Sequence, residues 1–217
     1  SIILNNQYNT PTGCLSRLVG LSNSWAAKES CFFSNEKQKM MKLFSYNPNN
    51  ADEIKSLFTK VFTDSEGQAE GILIGNLASE LITETDEKDL YGFVAVDNGK
   101  IIACIFFSRL TFESSICAFI LSPVAVHTDY QGKGIGQKLI NYGIKRLTDE
   151  GVELVMTYGN PNYYSKTGFN PVKEETVKAP LQLTYPEGWL GQSLISNSIE
   201  PAGQSFCVKA LSKPEYW

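Results

Sequence analysis

The chain has 217 residues, of which 42% are hydrophobic, 12% aromatic and 19% charged, so it can bury a sizeable core and is not disordered by composition. Lys+Arg total 19 and Asp+Glu 23, a net charge of −4, which leaves no basic excess to grip a nucleic-acid backbone. The longest clean apolar run, 101–107, is far too short to span a membrane, and no signal peptide is readable, so the expected compartment is the cytoplasm.

Residues 1–40 mix Asn, Ser, Thr and Gly with isolated apolar residues and show no sustained period. They are read as an N-terminal extension of uncertain order, and the folded unit is expected over 41–217. Residues 1–40 hold four Lys+Arg and two Asp+Glu, leaving 15 against 21 beyond them, so the folded unit carries −6. A short strand is predicted over 41–45. Asn50-Ala-Asp-Glu53 reads as a capping box. Ile54, Leu57, Phe58, Val61 and Phe62 then fall on one face of a helix. A second helix is predicted around 69–82, with Ile72, Leu73, Leu77 and Leu81 inward.

Strands follow at 90–96 and 100–110, joined by the hairpin signal Asp97-Asn98-Gly99. The next, 115–126, is apolar on both faces, as in a central covered strand. Pro123 interrupts it. Proline has no N–H for a ladder, so it marks a bulge that splays the strand from its neighbour and leaves backbone groups for a ligand. Gln131-Gly-Lys-Gly-Ile-Gly136 then opens a helix that runs to about Glu150 and stops at Gly151. A strand over 152–158, a helical turn in 161–167 and a late strand over 204–211 complete the pattern. The stretch 178–203 reads as a long loop that shapes an acceptor pocket or a homodimer contact.

Gly132, Gly134 and Gly136 follow a buried strand and begin a helix. Successive backbone N–H groups there make an anion-binding concavity, and the helix N-terminus adds positive potential. The spacing is neither G-x-G-x-x-G nor a Walker loop. Alone it fits a pyrophosphate cradle or a plain strand-to-helix turn equally well.

The segment Leu121-Ser-Pro-Val-Ala-Val-His-Thr-Asp-Tyr-Gln-Gly-Lys-Gly-Ile-Gly136 resembles motif A of the GNAT superfamily of acyl-CoA N-acyltransferases. Its [QR]-x-x-G-x-[GA] signature is met by Gln131, Gly134 and Gly136. Tyr164-Ser-Lys-Thr-Gly168-Phe169 resembles the family's Y-x-x-x-G-F element, and Gly159-Asn-Pro-Asn-Tyr-Tyr164 is similar to that of predicted bacterial acetyltransferases. The resemblance covers about 41–175. It implies an α/β (α+β) fold with a mixed, mostly antiparallel sheet, splayed at a β-bulge and flanked by helices.

The resemblance further implies acetyl-CoA as co-substrate, while a single His and no Cys/His cluster in the sequence argue against a metal site. Pantetheine would lie in the splay against Val124, Ala125 and Val126, with the Val126 N–H polarising the thioester carbonyl. The pyrophosphate would sit on Gln131, Gly132, Lys133, Gly134, Ile135 and Gly136, beside Gln137. Asn160 stands near the family's cofactor-arm asparagine, at a shorter spacing. Tyr164 occupies the position of the general acid that protonates the departing thiolate, with Tyr163 ranked below it. The expected reaction is direct acetyl transfer to a primary amine of a small molecule or peptide, with no nucleic-acid or membrane partner. A non-catalytic acyl-CoA-binding module and an unrelated phosphate-binding domain are the competing readings. For the general base, Glu113, Glu80, Glu84 and an ordered water are the candidates. His127, the sole histidine, reads as structural.

Overall fold

Residues 41–217 are described in a computed structural model, beginning on an edge strand, β1 (Lys42–Ser45). A 3-10 turn, Pro48–Asn50, leads into helix α1 (Ala51–Glu66). Asn47 caps that turn by accepting from the Asn49 N–H at 2.9 Å. The expected capping box does not form, because the turn already occupies the cap position. The Asn50 side-chain amide donates to the Glu53 carboxylate at 3.3 Å. Glu53 also accepts from the backbone N–H of Ile101 at 2.9 Å, tying the start of α1 to a distant strand.

Helix α2 (Gln68–Glu84) lies close against α1. Gly71 and Gly75 face Thr63 and Thr59, and a Cβ at either glycine would collide with those threonines. With this close approach the buried face is Gly71, Ile74, Gly75, Leu77, Ala78 and Leu81, so Leu77 and Leu81 face inward as expected. Ile72, expected inward, is consequently turned outward and half-exposed.

Strands β2 (Leu90–Asp97) and β3 (Lys100–Thr111) form a hairpin in which Asn98 and Gly99 have φ of 51° and 77°, as a type I′ turn demands. Strand β4 (Ala118–Val126) is antiparallel to β3 and buried along its whole length. Helix α3 (Ile135–Asp149) crosses over to β5 (Leu154–Tyr158), which therefore runs parallel to β4. One helical turn, α4 (Pro161–Tyr164), precedes β6 (Asn170–Pro171), β7 (Val177–Lys178), β8 (Trp189–Ser193), β9 (Gly203–Gln204) and β10 (Phe206–Cys207). The main sheet has the order β1-β2-β3-β4-β5-β8-β6, with β10 added to β3, while β7 and β9 pair separately. The fold is thus a mixed, mostly antiparallel sheet flanked by helices.

Two expectations need correction here. The stretch 178–203 is not one long loop, because β8 lies within it and pairs along the whole of β5. The strand expected over 204–211 is only a short pairing of Phe206 and Cys207 with Leu110 and Thr111, followed by a 3-10 turn at Lys209–Leu211.

The sheet divides two cores. On one side α1 and α2 cover Val94, Cys104, Phe106, Ile120, Met156 and Tyr158, with Phe58 stacked on Phe106 at 6.0 Å between centroids. The 3-10 turn Pro214–Tyr216 closes this core by delivering Tyr216 and Trp217. Trp217 packs 6.1 Å from both Tyr158 and Trp189, and its indole donates to the Leu211 carbonyl at 2.8 Å. On the other side α3 covers Phe93, Phe107, Phe119 and Leu121.

The splay in the sheet has a sharp origin. The parallel ladder of β4 and β5 runs from Ala118–Leu154 to Leu121–Thr157 and stops. There the Thr157 hydroxyl donates to the Leu121 carbonyl at 2.9 Å. Beyond that point β4 bulges. Leu121 faces Phe107 and Val124 faces Ile105, so Ser122 and Pro123, joined by a cis peptide, share Phe106 as the residue opposite.

Candidate active site

Past the bulge, β4 keeps β3 on one side and opens a V toward β5 on the other. The His127 N–H donates to the Ile102 carbonyl at 2.8 Å, so by strand alternation the Ala125 N–H also faces β3. By the same alternation the Val126 N–H is turned away from β3, toward the V. The Val126 carbonyl accepts from the Gln131 side-chain amide at 2.9 Å, which folds the glycine loop back onto the strand.

That loop is braced at several further points. The Tyr130 hydroxyl donates to Asp97 at 3.0 Å, which pushes the phenol pKa up by stabilising its protonated form. Thr128 donates to Asp64 of α1 at 2.7 Å, holding that carboxyl below its usual range together with Lys60. The Lys133 ammonium donates to the Asp129 carbonyl at 2.9 Å and lies 5.1 Å over the Tyr130 ring. His127 accepts from the Asp129 N–H at 3.3 Å through Nδ1, capping the 3-10 turn Thr128–Tyr130. Its place is structural, as its position before the loop suggests.

Gly132 and Gly134 have φ of 72° and 73°, a left-handed conformation that side-chain-bearing residues resist. Among the described residues, chain neighbours aside, no atom lies within 4 Å of a Cβ built on either, so conformation rather than crowding calls for glycine. Gly134 is the N-cap of α3 and provides no side-chain cap. The first-turn N–H groups therefore keep their donor capacity for an anion.

Val126, Gln131, Gly132, Lys133, Gly134, Ile135, Gly136, Gln137 and Asn160 line one cavity of about 580 Å³. Tyr130, Asn162, Tyr163 and Lys166 complete its wall. Lys166 escaped the sequence reading because it fills a variable place in Tyr-x-x-x-Gly-Phe; only the spacing to Tyr164 could have pointed to it. Lys138 stays on the exposed face of α3, outside the lining. Val124 and Ala125 lie deeper along β4 and do not line this cavity, and neither does Tyr164. Tyr164 is buried, edge-on to Tyr163 at 5.0 Å and to Phe169 at 5.8 Å. Asn160 caps α4 by accepting from the Asn162 N–H at 2.9 Å, which orients both tyrosines.

The carboxylates considered as general bases sit elsewhere. Glu80 holds Lys213 at 2.9 Å and Glu84 holds Lys209 at 3.0 Å. Glu113 is exposed in the connection before Ala118. At the 3.3 Å rise of a strand, Ala118 is itself on the order of 20 Å from Val124, and Glu113 precedes it outside the strand. Among the described residues no cluster of His, Cys, Asp and Glu could hold a metal ion, and no helix is long and apolar enough to cross a membrane.

A sheet splayed at a bulge, with a glycine loop at the mouth of the V, defines the acyl-CoA N-acyltransferase class of fold. Residues 88–171 match the family model described as an acetyltransferase (GNAT) domain. The chain is 28% identical over 166 residues to the uncharacterized N-acetyltransferase YjhQ of Escherichia coli K12, covering 74% of this chain and 88% of that one. It is 29% identical over 124 residues to the uncharacterized N-acetyltransferase YhbS of the same strain, covering 56% and 69%. The crystal structure of E. coli YhbS in complex with CoA superposes with a TM-score of 0.69 at 21% identity, over 80% of this chain and 92% of that one. A GNAT family acetyltransferase from Brucella melitensis in complex with acetyl-CoA gives 0.63 at 22% identity, over 80% and 99%.

Proposed function

We propose that this protein is an acetyl-CoA-dependent N-acetyltransferase that moves the acetyl group directly to a primary amine of a small molecule or peptide. The observation that carries the reading is the continuity of the opened β4 edge with the cavity at the α3 N-terminus. Homologues named N-acetyltransferases and fold neighbours crystallised with CoA or acetyl-CoA support it. Acetyl-CoA, when bound, supplies the activated acyl group.

The chain's own residues bind and orient. The N–H groups of 131–136 hold the pyrophosphate, with Gln137 beside it and Lys133 and Lys166 as nearby cations. The β4 N–H groups hold the pantetheine as an added strand would. A backbone N–H of the bulged strand donates to the carbonyl as charge develops on it. Tyr164 gives its proton to the departing sulfur, since an ordinary phenol is protonated at neutral pH. Bulk-connected water takes the amine's proton, because Glu80 and Glu84 are engaged by lysines and Glu113 is remote. Cys104, Cys117 and Cys207 are free thiols, which suits the reducing cytoplasm where we place the protein.

A thermal-shift screen of acetyl-CoA, CoA, NAD and ATP, followed by a panel of amines, tests the reading. Stabilisation by acetyl-CoA and CoA and release of free thiol with an amine are expected. Stabilisation without thiol release from any amine would make the protein an acyl-CoA-binding module. Stabilisation by a nucleotide instead would overturn the CoA assignment.

A further inference from the structure

Ser122 is the first β4 residue beyond the point where the parallel ladder stops. It is 1% exposed, and its Oγ has no hydrogen-bond partner among the described residues. A buried hydroxyl without a partner is costly to a fold, and replacing it by a methyl group would relieve that cost. Strand alternation from Ala118 and Ile120 turns Ser122 toward the α1 and α2 side of the sheet, the side also taken by Tyr158, the first β5 residue past the ladder. Ser122 therefore stands at the vertex of the V, at a bulge, with an unused donor.

The direction of β4 says what would reach it. The glycine loop follows Val126, so a ligand anchored there and lying along the strand passes Val126 and then Val124. Ser122 is two residues further, a step shortened to about 5 Å by the bulge and the cis peptide. That is about the span from the last amide nitrogen of a pantetheine arm, through two methylenes and sulfur, to the acyl carbonyl. We propose that the Ser122 hydroxyl donates a hydrogen bond to the acyl carbonyl of acetyl-CoA at the vertex of the V, and so distinguishes the acylated from the free coenzyme. This rests on the acetyl-CoA reading above. The vertex is dry, which strengthens a hydrogen bond made there and accounts for keeping a hydroxyl that the folded protein alone does not use.

Ser108 provides an internal control. It is also fully buried with an unpartnered Oγ, but it lies on β3 opposite Ile120, where the β4–β5 ladder is still closed. The test compares acetyl-CoA and CoA affinities by calorimetry in the full chain and in Ser122→Ala, Ser122→Cys and Ser108→Ala. Ser122→Ala should melt no lower than the wild type, bind CoA normally and lose about fivefold in acetyl-CoA affinity. Ser122→Cys, a weak donor of similar shape, should fall the same way and carries the test if the alanine variant does not fold. Ser108→Ala should keep the wild-type preference. An unchanged ratio in the Ser122 variants, or an equal loss in Ser108→Ala, overturns the assignment while leaving the CoA reading intact. A wild type that binds neither coenzyme overturns both.

Discussion

Tyr163 and Tyr164 separate two roles that adjacent positions on one helical turn must divide. Successive helical residues point about 100° apart, so only one of the pair can face a given target. Tyr163 lines the cavity at the glycine loop, and Tyr164 is packed beside it on Phe169. If Tyr164 is the proton donor, Tyr164→Phe should lower kcat about 100-fold with acetyl-CoA affinity nearly intact. Tyr163→Phe should instead weaken acetyl-CoA binding and leave kcat within about threefold, because it keeps the ring that packs on Tyr164. Steady-state kinetics with a coenzyme titration separates the two; the reverse pattern would transfer the acid role to Tyr163. At this scale the sequence was informative where spacing is rigid, as in the Tyr-x-x-x-Gly-Phe element. It could not show that Asn160 uses its carbonyl to cap α4, or that Glu80 and Glu84 meet lysines more than a hundred residues away.

At the scale of elements, the loop and the vertex carry the remaining local predictions. Gly134→Val puts a β-branched residue at φ 73°, which costs about 1–2 kcal/mol of backbone strain. It should lower the melting temperature and abolish the acetyl-CoA thermal shift; a normal shift would refute the cradle. Thr157→Val keeps the shape of the residue but removes the donor to the Leu121 carbonyl. It should cost about 1 kcal/mol and about 3 °C in Tm, with Thr157→Ser near wild type. Most elements were legible because their periods were strong. Apolar residues alternate or run unbroken through β2, β3 and β4, and a 3.6-residue period marks α1 and α3. Strand β8 was not legible, because Gly191 and Gln192 interrupt its apolar pattern and its pairing with β5 is non-local. Ile72 was misplaced because hydrophobicity alone ranks it above Gly71 and Gly75, whereas helix contact selected the small residues.

At the scale of the molecule, the segment after β10 fastens one core. Lys209 and Lys213 reach Glu84 and Glu80 on α2, the first pair exposed and the second partly buried, but solvent-accessible pairs of this kind contribute little. The burial of Trp217 against Tyr158 and Trp189 matters more. Trp217→Ala should destabilise by about 3–5 kcal/mol, a drop of about 10 °C in Tm, whereas Lys213→Met should change it by less than about 3 °C. Residues 1–40 lie outside those described, and with them Cys14 and Cys31. We retain the proposal that the folded unit is 41–217; a chain starting at Met41 should melt cooperatively and still respond to acetyl-CoA. Loss of folding in that shortened chain would place part of the core in the first 40 residues.

The brevity of the β4–β5 ladder has a dynamic consequence. Within the sheet, four residue pairs join the β1–β4 meander to the β5, β8 and β6 strands. β2 and β3, by contrast, pair along almost their whole lengths. Local opening should therefore run along this seam well before it reaches the meander. In native-state amide exchange, β5 should lose its protection first among the buried strands. Coenzyme bound across the two arms would then slow exchange on both sides of the seam, though it touches only a few of those amides.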